Sequence, residues 1–308
     1  MTAKRLLVTG LFLVALAPAA MAVRDVPGQL YDIGKIKLHM NCLGTGGPTV
    51  VFDAGLGGFS LEWLRIQRQL RDTVRTCAYD RAGYGWSEMG PSPRSTSQIN
   101  DEFERLLEVA DLQPPYILVG HSFGGYNVQY YAKSHPDKVA GVVLIDSSHS
   151  EQAERIPEVR VKKARRGRPQ MVTHFNDTAI FELYPEDIRE TVRRIMGSRK
   201  SVITQRREQA SFGFSGTEVE FLGDAFPNVP LTVITRGRQE WPEHPLGNAR
   251  AKAWQTMQQE LAELSPQGRQ IQAQTSGHMV HLDQPGLVAG VIRRMVKQCQ
   301  YSHQTISC

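Results

Sequence analysis

The chain has 308 residues, 41% of them hydrophobic and 22% charged, enough for one large α/β domain carrying an insertion. Its formal net charge of +5 is too small to argue for nucleic acid, and no aromatic-basic groove motif supports such a partner. Internal repeats and long low-complexity segments are absent from the sequence, which excludes solenoids and arrays.

The N-terminus reads as a processing signal. Lys4 and Arg5 form a positive region, Leu6 to Leu16 an apolar one, and Ala20-Met21-Ala22 a small-residue cleavage site. Residues 1–22 are expected to be a cleaved secretory peptide rather than a membrane anchor, and to take no part in the fold. No later run is long and apolar enough to span a bilayer. The mature protein is therefore expected to be secreted or periplasmic, without a stable membrane span.

Short β-branched runs then alternate with helical patterns. Ile36 to Met40 predicts a strand, Gly44 to Pro48 a turn, and Thr49 to Phe52 a second strand. Residues 60–70 have helical spacing through Leu61, Leu64, Ile66 and Leu70, and Val74 to Tyr79 returns as strand. An amphipathic helix over 97–111 stops at Pro114-Pro115, before the buried strand Tyr116 to Val119. Val139 to Ile145 and Pro230 to Thr235 are further strands. Such alternation predicts a mostly parallel sheet covered by helices.

Residues 150–226 break this rhythm. They are rich in charge and show helical stretches such as Glu186 to Met196, so they read as an inserted helical cap between core segments 23–149 and 227–308. Within it, Arg155 to Arg168 holds seven Lys/Arg and one acid, Glu158. A solvated helix face is the first reading and a steering patch for anionic substrates the second.

Four cysteines, Cys42, Cys77, Cys299 and Cys308, allow three pairings, and export makes disulfides permissible. Their spacings do not resemble a zinc site. The closeness of Cys299 and Cys308 favours a small terminal loop, which leaves Cys42 with Cys77; buried thiols are the alternative for that second pair.

Gly120-His121-Ser122-Phe123-Gly124 has the form of a nucleophile elbow. It follows an apolar strand and opens a helical stretch over 124–132, so the turn between them would carry the Ser122 side chain out over the end of the sheet. Glycines two positions to either side remove the Cβ atoms that would collide there.

With Ala54-Gly55-Leu56-Gly57-Gly58, Asp80-Arg81-Ala82-Gly83-Tyr84-Gly85-Trp86-Ser87, the elbow and Ser276-Gly277-His278, the chain resembles the α/β-hydrolase family of the serine type. The likeness runs from about residue 30 to 297, and its motif set resembles a poorly characterised subgroup of exported bacterial hydrolases. What the resemblance implies is a triad. A serine hydroxyl needs a base, and His278, in Gly277-His278 followed by Asp283-Gln284-Pro285, stands in the family's position for it. His281 is then structural. The orienting acid has two candidates: Glu240, at the G-x-x-Glu spacing after the strand ending at Thr235, is placed first, and Asp146, at the end of the strand 139–145, is its rival. Asp283 resembles the family's helix-start acid. The oxyanion donors would be the backbone N–H groups of Phe123 and Leu56, with Ala54 standing where the family usually has histidine. Arg81 and Tyr84 are read as holding their loop at the sheet edge rather than as substrate contacts.

The function implied is an exported serine hydrolase acting on a small-molecule acyl substrate, a carboxylic ester first and an amide next, without metal or organic cofactor. Acyl transfer or perhydrolysis on the same triad is the second enzyme reading, and a non-catalytic binding protein of the same fold the third. Ser122 argues against the dehalogenases and most epoxide hydrolases of the fold, which carry aspartate at the elbow.

Overall fold

A computed structural model describes residues 26–157 and 179–305, with side chains as far as Gln300. The expected leader, the basic stretch beyond residue 157 and Cys308 lie outside the described residues. Eight strands form one sheet: β1 (Gln29–Asp32), β2 (Lys37–Leu43), β3 (Val50–Asp53), β4 (Thr76–Tyr79), β5 (Tyr116–His121), β6 (Val139–Ile145), β7 (Leu231–Arg236) and β8 (Gly268–Ala273). Their order is β1-β2-β4-β3-β5-β6-β7-β8. The pairs β1–β2 and β2–β4 are antiparallel, and every pairing from β4 to β8 is parallel.

Helices cover both faces of this sheet, which is why its central strands are apolar on both sides. Val50, Phe52, Ile117, Val119, Val143 and Ile145 face a layer that includes Ile66 and Leu70 of α1 (Leu64–Leu70). The intervening Val51, Leu118, Val142 and Leu144 face Phe103 and Leu106 of α2 (Thr96–Val109) and Val128 and Tyr131 of α3 (Phe123–Ser134). Period-two alternation thus sends each strand's side chains to opposite cores.

Between β6 and β7 the described residues are helical: α4 (Gln152–Arg155), α5 (Ala179–Glu182), α6 (Arg189–Met196), α7 (Arg199–Ala210) and α8 (Phe212–Phe221). Ile180, Phe181, Tyr184, Val192 and Ile195 pack on Phe59, Leu61, Leu64 and Tyr84, and Val219 and Phe212 pack on Phe123 and Tyr126. The insertion therefore rests on the segments that follow β3, β4 and β5, including the first turns of α1 and α3. The chain closes with α9 (Gly247–Glu263), α10 (Val280–Asp283) and α11 (Pro285–Thr305), the last packing Val288, Ile292 and Met295 onto the face shared with α1.

Cys42 and Cys77 stand opposite one another on β2 and β4 and are joined as a disulfide. Cys299 is buried, with its sulfur 3.3 Å from the Ala140 carbonyl oxygen. Among the described residues no helix is long and apolar enough to cross a membrane.

Candidate active site

Four neighbouring parallel strands, β3, β5, β6 and β7, end on the same edge of the sheet and deliver Ala54, Ser122, Asp146 and Arg236 to it. In open α/β sheets this carboxyl edge is where ligands bind. Ser122 sits between β5 and α3 at φ 49°, ψ −118°, a conformation that L residues rarely adopt. The turn tolerates no side chain at its flanks. A Cβ on Gly120 would come within 2.7 Å of the Gly124 carbonyl oxygen, and one on Gly124 within 2.4 Å of the Asp53 carbonyl oxygen. Phe123 is the first residue of α3, so its N–H belongs to the set that a helix start leaves without an intrahelical acceptor. Leu56 packs in the same apolar cluster as Phe123, Tyr126 and Phe212, so the two expected oxyanion residues lie together.

His278 lies in the loop between β8 and α10. Its Nδ1 is 2.5 Å from Oδ2 of Asp146, which is fully buried at the end of β6. Glu240 meets the main chain of the same residue. Its Oε1 accepts the backbone N–H of His278 at 2.8 Å. The two expected acids thus differ in position: the G-x-x-Glu loop, placed first on the sequence, brings Glu240 beside the main chain of the histidine loop, whereas its rival Asp146 stands at the ring. Asp146 takes a positive φ of 40° just past β6 and meets the ring itself. Asp283, at the end of α10, accepts the N–H of Gly277 and an N–H of Arg238 and so braces the histidine loop.

Asp146 accepts three further hydrogen bonds, none of which was expected from the sequence. Trp254 Nε1 of α9 donates to Oδ1 at 2.8 Å, the Arg236 backbone N–H to Oδ1 at 3.2 Å, and Arg236 Nη1 to Oδ2 at 2.5 Å. The Arg236 guanidinium also stands 4.4 Å from the centre of the Trp254 ring and 4.8 Å from that of Trp241. Burial alone would raise the Asp146 pKa. The Arg236 charge and the hydrogen bonds from His278 and Trp254 overcome it and bring the group down to about 2. A charged residue closing an otherwise uncharged strand was the sequence's one pointer to Arg236.

His121 ties the elbow to the histidine loop: its Nε2 donates to the His278 carbonyl at 3.0 Å, and the two rings lie 4.7 Å apart. His281 is buried, stacks on Trp63 and pairs with Glu62 at 3.3 Å. Glu62, His121 and His281 bring one ligand-type atom each within 4.8 Å of one another, which makes them the buried set with metal-binding chemistry beside this site. Arg81 and Tyr84 are buried behind the Ala54–Gly58 loop and hydrogen-bond to its backbone rather than only within their own loop.

The family model described as alpha/beta hydrolase fold matches residues 48–194. The chain is 29% identical over 245 residues to the uncharacterized protein YqjL of Bacillus subtilis (strain 168), covering 80% of this chain and 82% of that one. Among solved structures, the enol-lactonase from Burkholderia xenovorans LB400 matches with a TM-score of 0.62 at 15% identity, over 87% of this chain and all of the other. A thermophilic esterase from Thermogutta terrifontis matches with a TM-score of 0.60 at 21% identity, over 86% of this chain and 94% of the other. With its mostly parallel eight-stranded sheet flanked by helices, the chain has the α/β-hydrolase fold.

Proposed function

We propose that the protein is an exported serine hydrolase that cleaves a carboxylic ester through an acyl-enzyme on Ser122, with His278 as base and Asp146 as orienting acid. The observation that carries this reading is the half-buried His278 paired at 2.5 Å with the fully buried Asp146, on the same carboxyl edge of the sheet that holds Ser122 at positive φ. Ser122 Oγ attacks the ester carbonyl carbon while its proton passes to His278 Nε2. Asp146 stays ionised and fixes the tautomer by accepting from Nδ1. The tetrahedral oxyanion is met by the N–H groups of Phe123 and Leu56. Collapse expels the alcohol, which takes the proton from His278. Water then attacks the acyl-enzyme and gives a proton to His278. Breakdown releases the acid and returns that proton to Ser122.

Export is part of the proposal, supported by the leader pattern of residues 1–22 and by the Cys42–Cys77 disulfide, a bond favoured in oxidising compartments. The test is turnover of p-nitrophenyl esters from acetate to palmitate by the mature protein and by Ser122→Ala, with labelling by a fluorophosphonate probe mapped by mass spectrometry. Turnover and labelling at Ser122 in the wild type alone bear the proposal out. Equal turnover by Ser122→Ala, or a folded wild type inert to every ester and to the probe, refutes it.

A further inference from the structure

Arg81, in the loop after β4, uses all five of its N–H donors, and every acceptor is protein. Nε donates to Glu208 Oε1 at 2.8 Å and Nη2 to Glu208 Oε2 at 2.9 Å. Nη1 donates to Asp53 Oδ1 at 2.6 Å and to the Ala54 carbonyl at 2.5 Å, while the second Nη2 bond goes to the Gly55 carbonyl at 2.9 Å. Tyr84 completes the set. Its hydroxyl donates to Glu208 Oε2 at 2.9 Å and accepts the Gly57 N–H at 3.2 Å. Burial and the neighbouring Glu208 charge push the Tyr84 pKa well up, so that hydroxyl keeps its proton. Glu208 lies on α7 of the helical insertion and has no solvent exposure.

These bonds grip the backbone on both sides of one peptide. The carbonyls of Ala54 and Gly55 and the N–H of Gly57 bracket Leu56, whose own N–H is the second oxyanion donor in the proposed mechanism. Glu208 is the anchor from which both clamps hang, since it fixes the guanidinium in two bonds and the phenol in a third. A planar guanidinium held on two edges cannot slide along the loop, which is what a bidentate arginine pair supplies over a point charge.

We propose that Glu208 is a positioning residue for the oxyanion loop, acting through Arg81 and Tyr84 to hold the Leu56 N–H in register with that of Phe123. The helical insertion thereby sets the rate of the chemical step. This inference rests on the serine-hydrolase reading above.

The experiment compares wild type, Glu208→Gln and Tyr84→Phe as mature proteins. It measures kcat and KM on p-nitrophenyl acetate, the rate of fluorophosphonate labelling, inhibition by an alkyl boronic acid that forms a tetrahedral adduct on serine, and Tm. Both variants are expected to lose about 10- to 100-fold in kcat, the scale of a displaced catalytic group. Boronate affinity should weaken in step, with KM within about threefold, because only the tetrahedral state calls on the Leu56 donor. Should Glu208→Gln fail to fold, Tyr84→Phe, which removes a single hydroxyl, carries the same comparison. Unchanged kcat and boronate affinity in a folded variant overturn the inference while leaving Ser122 chemistry in place. So does a loss of kcat with no loss of boronate affinity. A wild type that neither turns over ester nor takes the probe overturns the inference together with the reading beneath it.

Discussion

Arg236 and His278 share one carboxylate oxygen: Nη1 of the arginine and Nδ1 of the histidine each lie 2.5 Å from Oδ2 of Asp146. The two nitrogens are 3.5 Å apart, so the acid holds a permanent cation and a titratable ring at once. Trp241 and Trp254 stand against the guanidinium and leave it little freedom to exchange Asp146 for water. Asp146 therefore has a permanent cation against it in addition to the ring, and both help to hold its charge.

Asp146→Asn should lower kcat on esters by about 10³- to 10⁴-fold with little change in KM, because an amide can select the wrong ring tautomer. Glu240→Gln keeps an oxygen for the His278 N–H and should cost less than about tenfold, as loss of charge assistance in one hydrogen bond would. Steady-state kinetics on both variants decide the assignment. The reverse order of severity would return the role to Glu240.

Acid stability should depend on Arg236. Native Asp146 stays charged down to about pH 2, whereas in the unfolded chain it protonates near its ordinary value of 3.8. Between those values the unfolded state binds more protons, so stability falls as pH falls. The contribution is whole above pH 4, is on the order of 2 kcal/mol, and is lost progressively toward pH 2. In Arg236→Gln, burial acts on Asp146 without its nearest cation, and the loss should begin at higher pH. Urea midpoints measured from pH 2 to 6 should diverge below about pH 5; parallel curves would falsify the coupling.

Ser122 holds a backbone conformation that suits glycine better than serine. Ser122→Gly should melt above Ser122→Ala, reflecting strain on the order of 1–3 kcal/mol, with both proteins inactive. Thermal melts of the pair test this directly, and equal Tm values would mean that the elbow stores no strain.

Removing the bond between Cys42 and Cys77, which are 35 positions apart, should destabilise the protein by about 2–4 kcal/mol. The double variant Cys42→Ala/Cys77→Ala, followed by urea titration with and without reductant, gives the value. Reductant should lower the wild-type midpoint and leave the variant's unchanged.

The interior was readable from sequence because burial on both faces writes itself as uninterrupted apolar residues. Val139 to Ile145 coincides with β6, and Tyr116 to Val119 forms the body of β5. The edges were not. β1 and β8 carry Gln29, Asp32, Arg269 and Gln270 toward solvent, and their composition matches that of loops. Ser122 and His278 stand out as candidates in the sequence because each sits inside a short, local pattern. Asp146 against Glu240 could not be decided that way, since both lie near the histidine and the choice turns on which carboxylate faces the ring and which the main chain. Glu208 left no trace at all: Arg206-Arg207-Glu208 reads as an exposed charged helix, and only a partner 127 positions away makes it interior.

The buried ion cluster of Asp53, Arg81 and Glu208 also bears on how far this architecture is modular. Truncating Glu208 within the intact segment would leave a buried guanidinium with one carboxylate where it now has two, at the several-kcal/mol penalty of breaking a buried pair, and excising the segment between β6 and β7 would uncover the same group. A minimal scaffold made by such a deletion would lose the anchor of the Ala54–Gly58 loop. Diversification of substrate range is then freest in α5 and α6, which touch the core through apolar side chains that tolerate exchange, while α7 is inherited with the sheet.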